Sequence, residues 1–278
     1  MESKGGNGVF EDVYQSHDRL WLKPKWNSNA VCGLFSFRTG GVSDTPYDSL
    51  NLGLHVGDDV NQVIQNRRIC AEELYGNLES WVVAEQVHGN KVACVDENHR
   101  GCGAKDHSSS ILGVDGLITD KKDITLVVLS ADCVPILFFD PVSNVIATAH
   151  SGWKGTLQHI SAVVISTMAE KYHSNPRDIH VHLGPSIRKC CYEVNEAVAF
   201  PMMEQFGSRV LMKRFYAKDR YLLSLQDCII QDLQKCGIEQ NHIDDCGVCT
   251  GCHVPLIFSH RKEHGKTGRL AGAIRLLP

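Results

Sequence analysis

The sequence predicts a single domain that mixes α-helices with β-strands, on three observations. Between Gly116 and Ala149, four short segments are apolar almost throughout, as strands buried on both faces are. Separate stretches elsewhere carry apolar residues at helical spacing. No repeat, low-complexity tract, heptad pattern or long linker divides the 278 residues, a length within reach of one large domain.

Residues 1–29 read as a mobile N-terminal segment, polar and glycine-containing over the first eighteen, and 30–278 as the folded domain. Ala30–Phe37 is a strand running into an Arg38-Thr39-Gly40-Gly41 loop. Asp58–Tyr75 is a helix with Asp58 or Asp59 as N-cap, apolar contacts at Val60, Val63, Ile64, Ile69 and Leu74, and Gly76 as its stop. Trp81–Val87 and Lys91–Val95 are strands flanking His88-Gly89-Asn90, and 98–110 is a loop. The central strands are Gly116–Thr119, Ile124–Leu129, Pro135–Asp140 and Asn144–Ala149. Thr156–Tyr172 and Glu193–Phe206 are helices, the second with a boundary or kink at Pro201. Ile179–Leu183 is a strand. Ser224–Lys235 is a helix, with a capping-box-like Ser224 and Asp227 and with Gly237 at its end. Ile257–Phe258 and Ala273–Leu276 complete the strands.

With 28 Lys+Arg against 32 Asp+Glu the net charge is −4, which gives no support to general nucleic-acid binding. The longest apolar stretch, Ile124–Phe139, is interrupted by Asp132 and Cys133 and is too short for a membrane span. The N-terminus has no apolar signal-peptide core. Twelve cysteines in a chain of this size then indicate a reducing, cytoplasmic compartment, with mostly reduced thiols and a few metal ligands.

His88, Cys133 and His150 each stand at the edge of an apolar strand. Imidazole and thiolate are good zinc ligands, and three protein ligands with one open position is the catalytic pattern. The spacing is no compact signature, so a core thiol and two hydrogen-bonded histidines remain the competing reading. Cys246, Cys249 and Cys252 form overlapping C-x-x-C units followed by His253. Covalent haem attachment fits a non-cytoplasmic setting; a structural metal site lacks an obvious fourth ligand, and free thiols in a glycine-rich turn are the plain alternative. A disulfide between adjacent Cys190 and Cys191 would be strained, so these are free thiols too. His180-x-His182 is one histidine pair, far short of a multicopper cluster.

The 150–156 turn, with Lys154, leads from strand to helix and could hold an anion on its backbone N–H groups, or be a tight turn only. Arg38 could clamp phosphate or carboxylate with its planar fork, as could 258–262 and Thr267-Gly268-Arg269; plain surface charge is the alternative.

In chain order the sequence carries FRTGGVS at 37–43, SLNLG at 49–53, QVHG at 86–89, ADCVPIL at 131–137, AHSGWKG at 149–155, LGPSI at 183–187, CCYEV at 190–194 and TGR at 267–269. This order of motifs resembles the YfiH-like family, long labelled multicopper polyphenol oxidase or laccase domain, from about Ala30 to the C-terminus. The chain most resembles the vertebrate branch, whose N-terminal extension is mostly missing here, which implies a shorter form or a fragment. The resemblance implies an α+β fold, a layered sandwich of mixed β-sheets with flanking helices. It also implies an enzyme with one zinc per chain, held by His88, Cys133 and His150. Its substrates would be purine nucleosides, with phosphate as co-substrate. Phosphorolysis of adenosine, inosine, guanosine and methylthioadenosine is expected, together with deamination of adenosine.

Arg38 takes the position of the family's loop arginine and is expected at phosphate or substrate; Asp132, beside Cys133, is a candidate proton carrier or support for the metal ligands, with a structural turn aspartate as the equal alternative. Gln86, Lys154, His260 and Arg261 complete the expected substrate contacts. His260 stands where the family usually has tyrosine, and Lys262 where it has a second arginine. Three rivals are carried forward: a Cys133–His150 hydrolase, a copper phenol oxidase, and a non-enzymatic scaffold for metabolic partners.

Overall fold

The computed structural model describes residues 13–278 except 17, 27 and 215–218. The expected tail over 1–12 lies outside the described residues. From Val13 the 1–29 segment is built into the fold: β1 (Val13–Ser16) and β2 (Arg19–Leu22) form a hairpin that pairs onto β3 (Val31–Ser36), and Trp21 is fully buried.

The elements that follow are α1 (Val60–Glu73), β4 (Trp81–Val83), β5 (Val92–Cys94), β6 (Gly116–Thr119), β7 (Thr125–Ser130), β8 (Val134–Asp140) and β9 (Val145–Ser151). Next come α2 (Trp153–Leu157), α3 (Ile160–Tyr172), β10 (His180–Leu183), β11 (Glu193–Asn195), α4 (Glu196–Phe206), β12 (Leu211–Lys213) and β13 (Arg220–Leu223). Last are α5 (Leu225–Lys235), β14 (Ile243–Asp245) and β15 (Leu270–Leu276).

Two six-stranded mixed sheets, ordered β1-β2-β3-β15-β7-β4 and β14-β10-β8-β9-β6-β5, stack face to face; β11-β13-β12 is a small third sheet. Alternation along each strand makes the layers. In β7, Leu126 and Val128 pack between the sheets against Leu137 and Phe139 of β8, while Val127 and Leu129 face α1. In β8, Val134, Ile136 and Phe138 point the other way, onto Ile160, Val164 and Met168 of α3 and Ile229 of α5. Both central strands are thus buried on two faces, which is why their sequences are nearly continuous in apolar residues. The architecture is the expected α+β layered sandwich.

The structure departs from several expected elements. The 156–172 helix is broken: α2 starts at Trp153, and His159, in a left-handed conformation with φ 59°, separates it from α3 while its ring reaches Asp232 of α5 at 2.7 Å. Glu193–Asn195 is strand rather than helix, paired with β13, and Pro201 lies inside α4 without ending it. Ile257 and Phe258 belong to no strand; they are apolar because they are fully buried, and the Arg38 guanidinium stands 4.5 Å over the Phe258 ring. On α1, Asp59 is the N-cap, but Val60 is exposed and the inward face carries Asn66 and Arg67. Arg67 is held inside by hydrogen bonds to the carbonyls of Leu52, Gly103 and Ala104.

Candidate metal centre and active-site cavity

Strand register brings the centre together. β8 and β9 pair antiparallel with Pro135 opposite His150, so Cys133, just before β8, stands beside the end of β9. Gly116 of β6 pairs with Ala149, which sets Asp115 next to His150, and the His88–Asn90 loop leads into β5, the neighbour of β6. The starts of β5, β6 and β8 and the end of β9 therefore meet at one end of the second sheet. Ligand atoms of His88, Cys133 and His150 lie within 4.8 Å of one another.

Asp115, which the sequence reading did not single out, organises this cluster. Its side chain is fully buried. One carboxylate oxygen accepts from His88 N at 2.9 Å and meets His150 Nδ1 at 2.9 Å; the other accepts from Val87 N at 3.2 Å and Gly89 N at 2.7 Å. This leaves the Nε2 side of His150 for a metal and pins the loop in which His88 takes a left-handed φ of 61°. Burial works against the Asp115 charge, but His150 and the loop N–H groups outweigh it and hold the carboxyl below its usual range. A lone aspartate between two strands carries no distinctive pattern in sequence, so only strand register could reveal it.

Burial alone would push the Cys133 thiol up, yet the charge and hydrogen bonds of His150 and His88 bring it well down. His150, disfavoured as a cation by burial, is raised by Cys133 and Asp115. Each of the two groups therefore favours the charged form of the other. Glycine is required beside it: a Cβ at Gly152 would lie 2.9 Å from Cys133 Sγ and 3.1 Å from the His88 ring. The donor set of two imidazoles and one thiolate, close together with a carboxylate behind one ring, fits a zinc ion with an open position.

The cluster opens on a cavity of about 550 Å³, in the size range of small-molecule sites. Gln86, Tyr192, Ile187, His260 and Arg261 line it, and Arg67 and Arg269, beside the His55 and His107 rings, make one wall basic. His55 is held down to about 4 by desolvation and by Arg269, His107 and Arg67. Arg269 was legible as the end of the TGR motif; Arg67, His55 and His107 sit in segments with no motif to mark them.

Other expected site residues have different partners. Arg38 is not among the residues lining the cavity. Its Nε donates to Asp48 O at 2.8 Å and its Nη1 to Val254 O at 2.8 Å and Glu263 Oε1 at 3.0 Å, so it ties three loops together. Arg38→Ala is expected to lower stability by about 2–3 kcal/mol, read from denaturant unfolding, because it frees three loop partners from one buried cation. Asp132 lines the cavity, but its carboxylate accepts from Thr250 Oγ1, Ser259 Oγ and Arg261 N. With both oxygens engaged it anchors the 250–261 segment rather than standing ready to carry a proton. Lys154 is exposed near the Trp153 ring and does not line the cavity. The Gln86 amide pairs with both backbone groups of Leu129, so it braces the cavity wall. His180 stacks on His242, and His182 is bound to Asp244; neither joins a metal-ligand group among the described residues. All twelve cysteines are free. Cys249 and Cys252 meet Cys190 and Cys191, whereas Cys246 packs apart from them at the edge of the core between the sheets.

Fold and site together define a layered α+β protein with a His–Cys–His centre at the mouth of a basic cavity. Residues 32–277 match the family model described as multi-copper polyphenol oxidoreductase laccase, and the chain belongs to that family, the YfiH-like proteins. It is 39% identical over 267 residues to a protein of Geobacillus stearothermophilus named purine nucleoside phosphorylase YlmD, covering 95% of this chain and 97% of the relative. The similarly named YlmD of Bacillus subtilis is 37% identical over 254 residues, 91% of each chain. The crystal structure of the Bacillus licheniformis hypothetical protein YfiH superposes with a TM-score of 0.89 at 35% identity, covering 95% of this chain and 98% of that one.

Proposed function

We propose that this chain is a zinc-dependent purine nucleoside phosphorylase. It cleaves adenosine, inosine, guanosine and methylthioadenosine to the free base and ribose-1-phosphate or methylthioribose-1-phosphate, and it also deaminates adenosine to inosine. The observation that carries this reading is the convergence of His88, Cys133 and His150 on the rim of a cavity with a basic wall. The names of the relatives support the nucleoside and phosphate classes. Twelve free thiols fit a cytoplasmic enzyme, and among the described residues no helix is long and apolar enough to cross a membrane.

His88, Cys133 and His150 would hold the zinc. When bound, zinc supplies a Lewis acid that polarises an oxygen and lowers the pKa of water. The chain does the rest. Arg269 binds phosphate, with the buried Arg67 adding positive charge behind it, and offsets its charge as a phosphate oxygen attacks ribose C1′ and the C1′–N9 bond breaks. Tyr192 and Ile187 provide an apolar wall for the purine, and His260, which also lines the cavity, gives the departing base its proton.

The test is a product assay. Purified protein is incubated with adenosine or inosine, with and without phosphate, and bases, inosine and ribose-1-phosphate are resolved by chromatography. Phosphate-dependent release of adenine and hypoxanthine is expected, and inosine from adenosine without phosphate; no purine product from folded, zinc-loaded protein overturns the reading.

Zinc binding has a proton signature. Cys133 and His150 each draw the other toward its charged form, and both must be proton-free to serve as ligands, so the one proton the pair holds near neutral pH is expected to be released per zinc at this centre. A weakly buffered indicator measures it in the chelated protein, as the difference between wild type and a Cys133→Ala variant.

The close contact of Cys133 with His150 favours a second reading, a Cys133–His150 hydrolase. It predicts activity indifferent to chelators and lost to iodoacetamide whether or not zinc is present. A multicopper oxidase needs several copper ions and many histidine ligands, and each metal-ligand group among the described residues holds at most two histidines. A scaffold would keep its function when the site residues are replaced.

A further inference from the structure

The second cluster of ligand atoms lies outside the cavity. Cys190 Sγ is 3.4 Å from Cys249 Sγ and 3.5 Å from Cys252 Sγ, and Cys191 Sγ is 3.5 Å from Cys252 Sγ. All four sulfurs lie within 4.8 Å of one another. A disulfide would place two sulfurs about 2.0 Å apart, so none is bonded here. Four thiolates around zinc at about 2.3 Å span tetrahedral edges of about 3.8 Å, close to the spacing found.

The backbone is shaped for this approach. Cys249 precedes a short turn, Thr250–Cys252, and Cys190-Cys191 sits in the turn closed by Cys191 N and Tyr192 N onto Arg188 O, each at 2.8 Å. The two loops are stitched by Ser186 N to Val248 O and Thr250 N to Ser186 O. Residue 251 must be glycine, since a Cβ there would lie 2.8 Å from Cys191 Cβ and 3.1 Å from its sulfur. Arg188 N points at Cys249 Sγ at 3.4 Å, the N–H to sulfur contact that supports a metal thiolate.

We propose that Cys190, Cys191, Cys249 and Cys252 form a second metal site, a closed tetrathiolate suited to zinc and structural in kind. The thiol protons pass to solvent as the four sulfurs become ligands. The site clamps two segments of the catalytic wall, since the first loop continues into Tyr192 and the second into Thr250, Ser259 and Arg261, which hold Asp132. This inference stands on its own cysteines, whatever reaction the cavity performs.

The experiment counts zinc in chains that lack the other centre. Cys133→Ala protein, expressed with zinc and exhaustively dialysed, is expected to keep about one zinc per chain, and addition of Cys190→Ser and Cys252→Ser is expected to remove it. Cobalt substitution of the Cys133→Ala chain should give intense thiolate-to-metal charge-transfer bands. In the unaltered protein, peptide mass spectrometry should show Cys190 and Cys252, both exposed, protected from iodoacetamide with zinc and labelled after chelation. That arm needs no variant to fold. Rapid labelling of all four thiols in zinc-replete protein, absence of zinc from the Cys133→Ala chain, or a mass showing disulfides among these cysteines in the presence of zinc would each overturn the proposal.

Discussion

Cys133→Ala is expected to cut phosphate-dependent release of base by about a thousandfold or more. Loss of a Lewis acid forfeits several kcal/mol of transition-state stabilisation, and each 1.4 kcal/mol is about tenfold in rate. The substitution removes the only thiolate of a three-ligand centre and leaves His150, raised by that thiolate and by Asp115, with one anionic neighbour fewer. Stability should change little, because the thiol is only partly enclosed at the cavity edge and alanine fits its space. Steady-state rates with inosine and phosphate, alongside zinc content, check this. Chelation of the wild type followed by zinc return should reproduce the loss and its recovery. Iodoacetamide should spare Cys133 in zinc-replete protein and trap it after chelation; trapping at equal rates in both states would instead identify the thiolate as the nucleophile.

Asp115 is the second position of large effect, and it acts without touching substrate. Its carboxylate serves three backbone N–H groups and the His150 ring. Asp115→Ala leaves these donors without their acceptor at a fully buried site and is expected to cost about 3 kcal/mol or more in denaturant unfolding. Asp115→Asn keeps the shape but turns an NH2 group toward one set of donors. Zinc affinity and activity are expected to fall about 10–100-fold, the usual cost of losing the support behind a metal-bound histidine. Equal zinc affinity in Asp115→Asn and wild type would show that the carboxylate only shapes the loop.

Much of this was legible in the chain. Val134–Asp140 and Val145–Ser151 are buried on both faces, and continuous apolarity reported that directly. Asp59 and Ser224 cap their helices through their own side-chain oxygens, a contact local in sequence. The three candidate metal ligands stand out because ionisable residues interrupt apolar strand ends, although their spacing alone leaves the core reading open. What failed to show was anything that depends on a distant partner. The apolar pattern of Thr156–Tyr172 continues through His159, yet Asp232 draws that ring aside and the helix breaks. Arg38 looked like an anion clamp, and its guanidinium is taken by three carbonyl or carboxylate partners from other loops. Nothing near Cys190 and Cys191 in the chain marks the Cys249 and Cys252 sulfurs that face them, because those lie some sixty residues away.

Which segments bury both faces, the helix caps at Asp59 and Ser224, which residue types can bind a metal and the family to which the chain belongs are all written locally along the chain. Side-chain periodicity, capping and donor chemistry are properties of neighbours along the chain, so they can be read there. Tertiary structure alone decided that Asp115 meets His150 across two strands, that Arg67 and Arg269 rather than Arg38 face the cavity, and that two pairs of cysteines converge. Those outcomes follow from strand register and loop packing. Register follows from burial of whole faces at once, so it leaves no mark on any single residue.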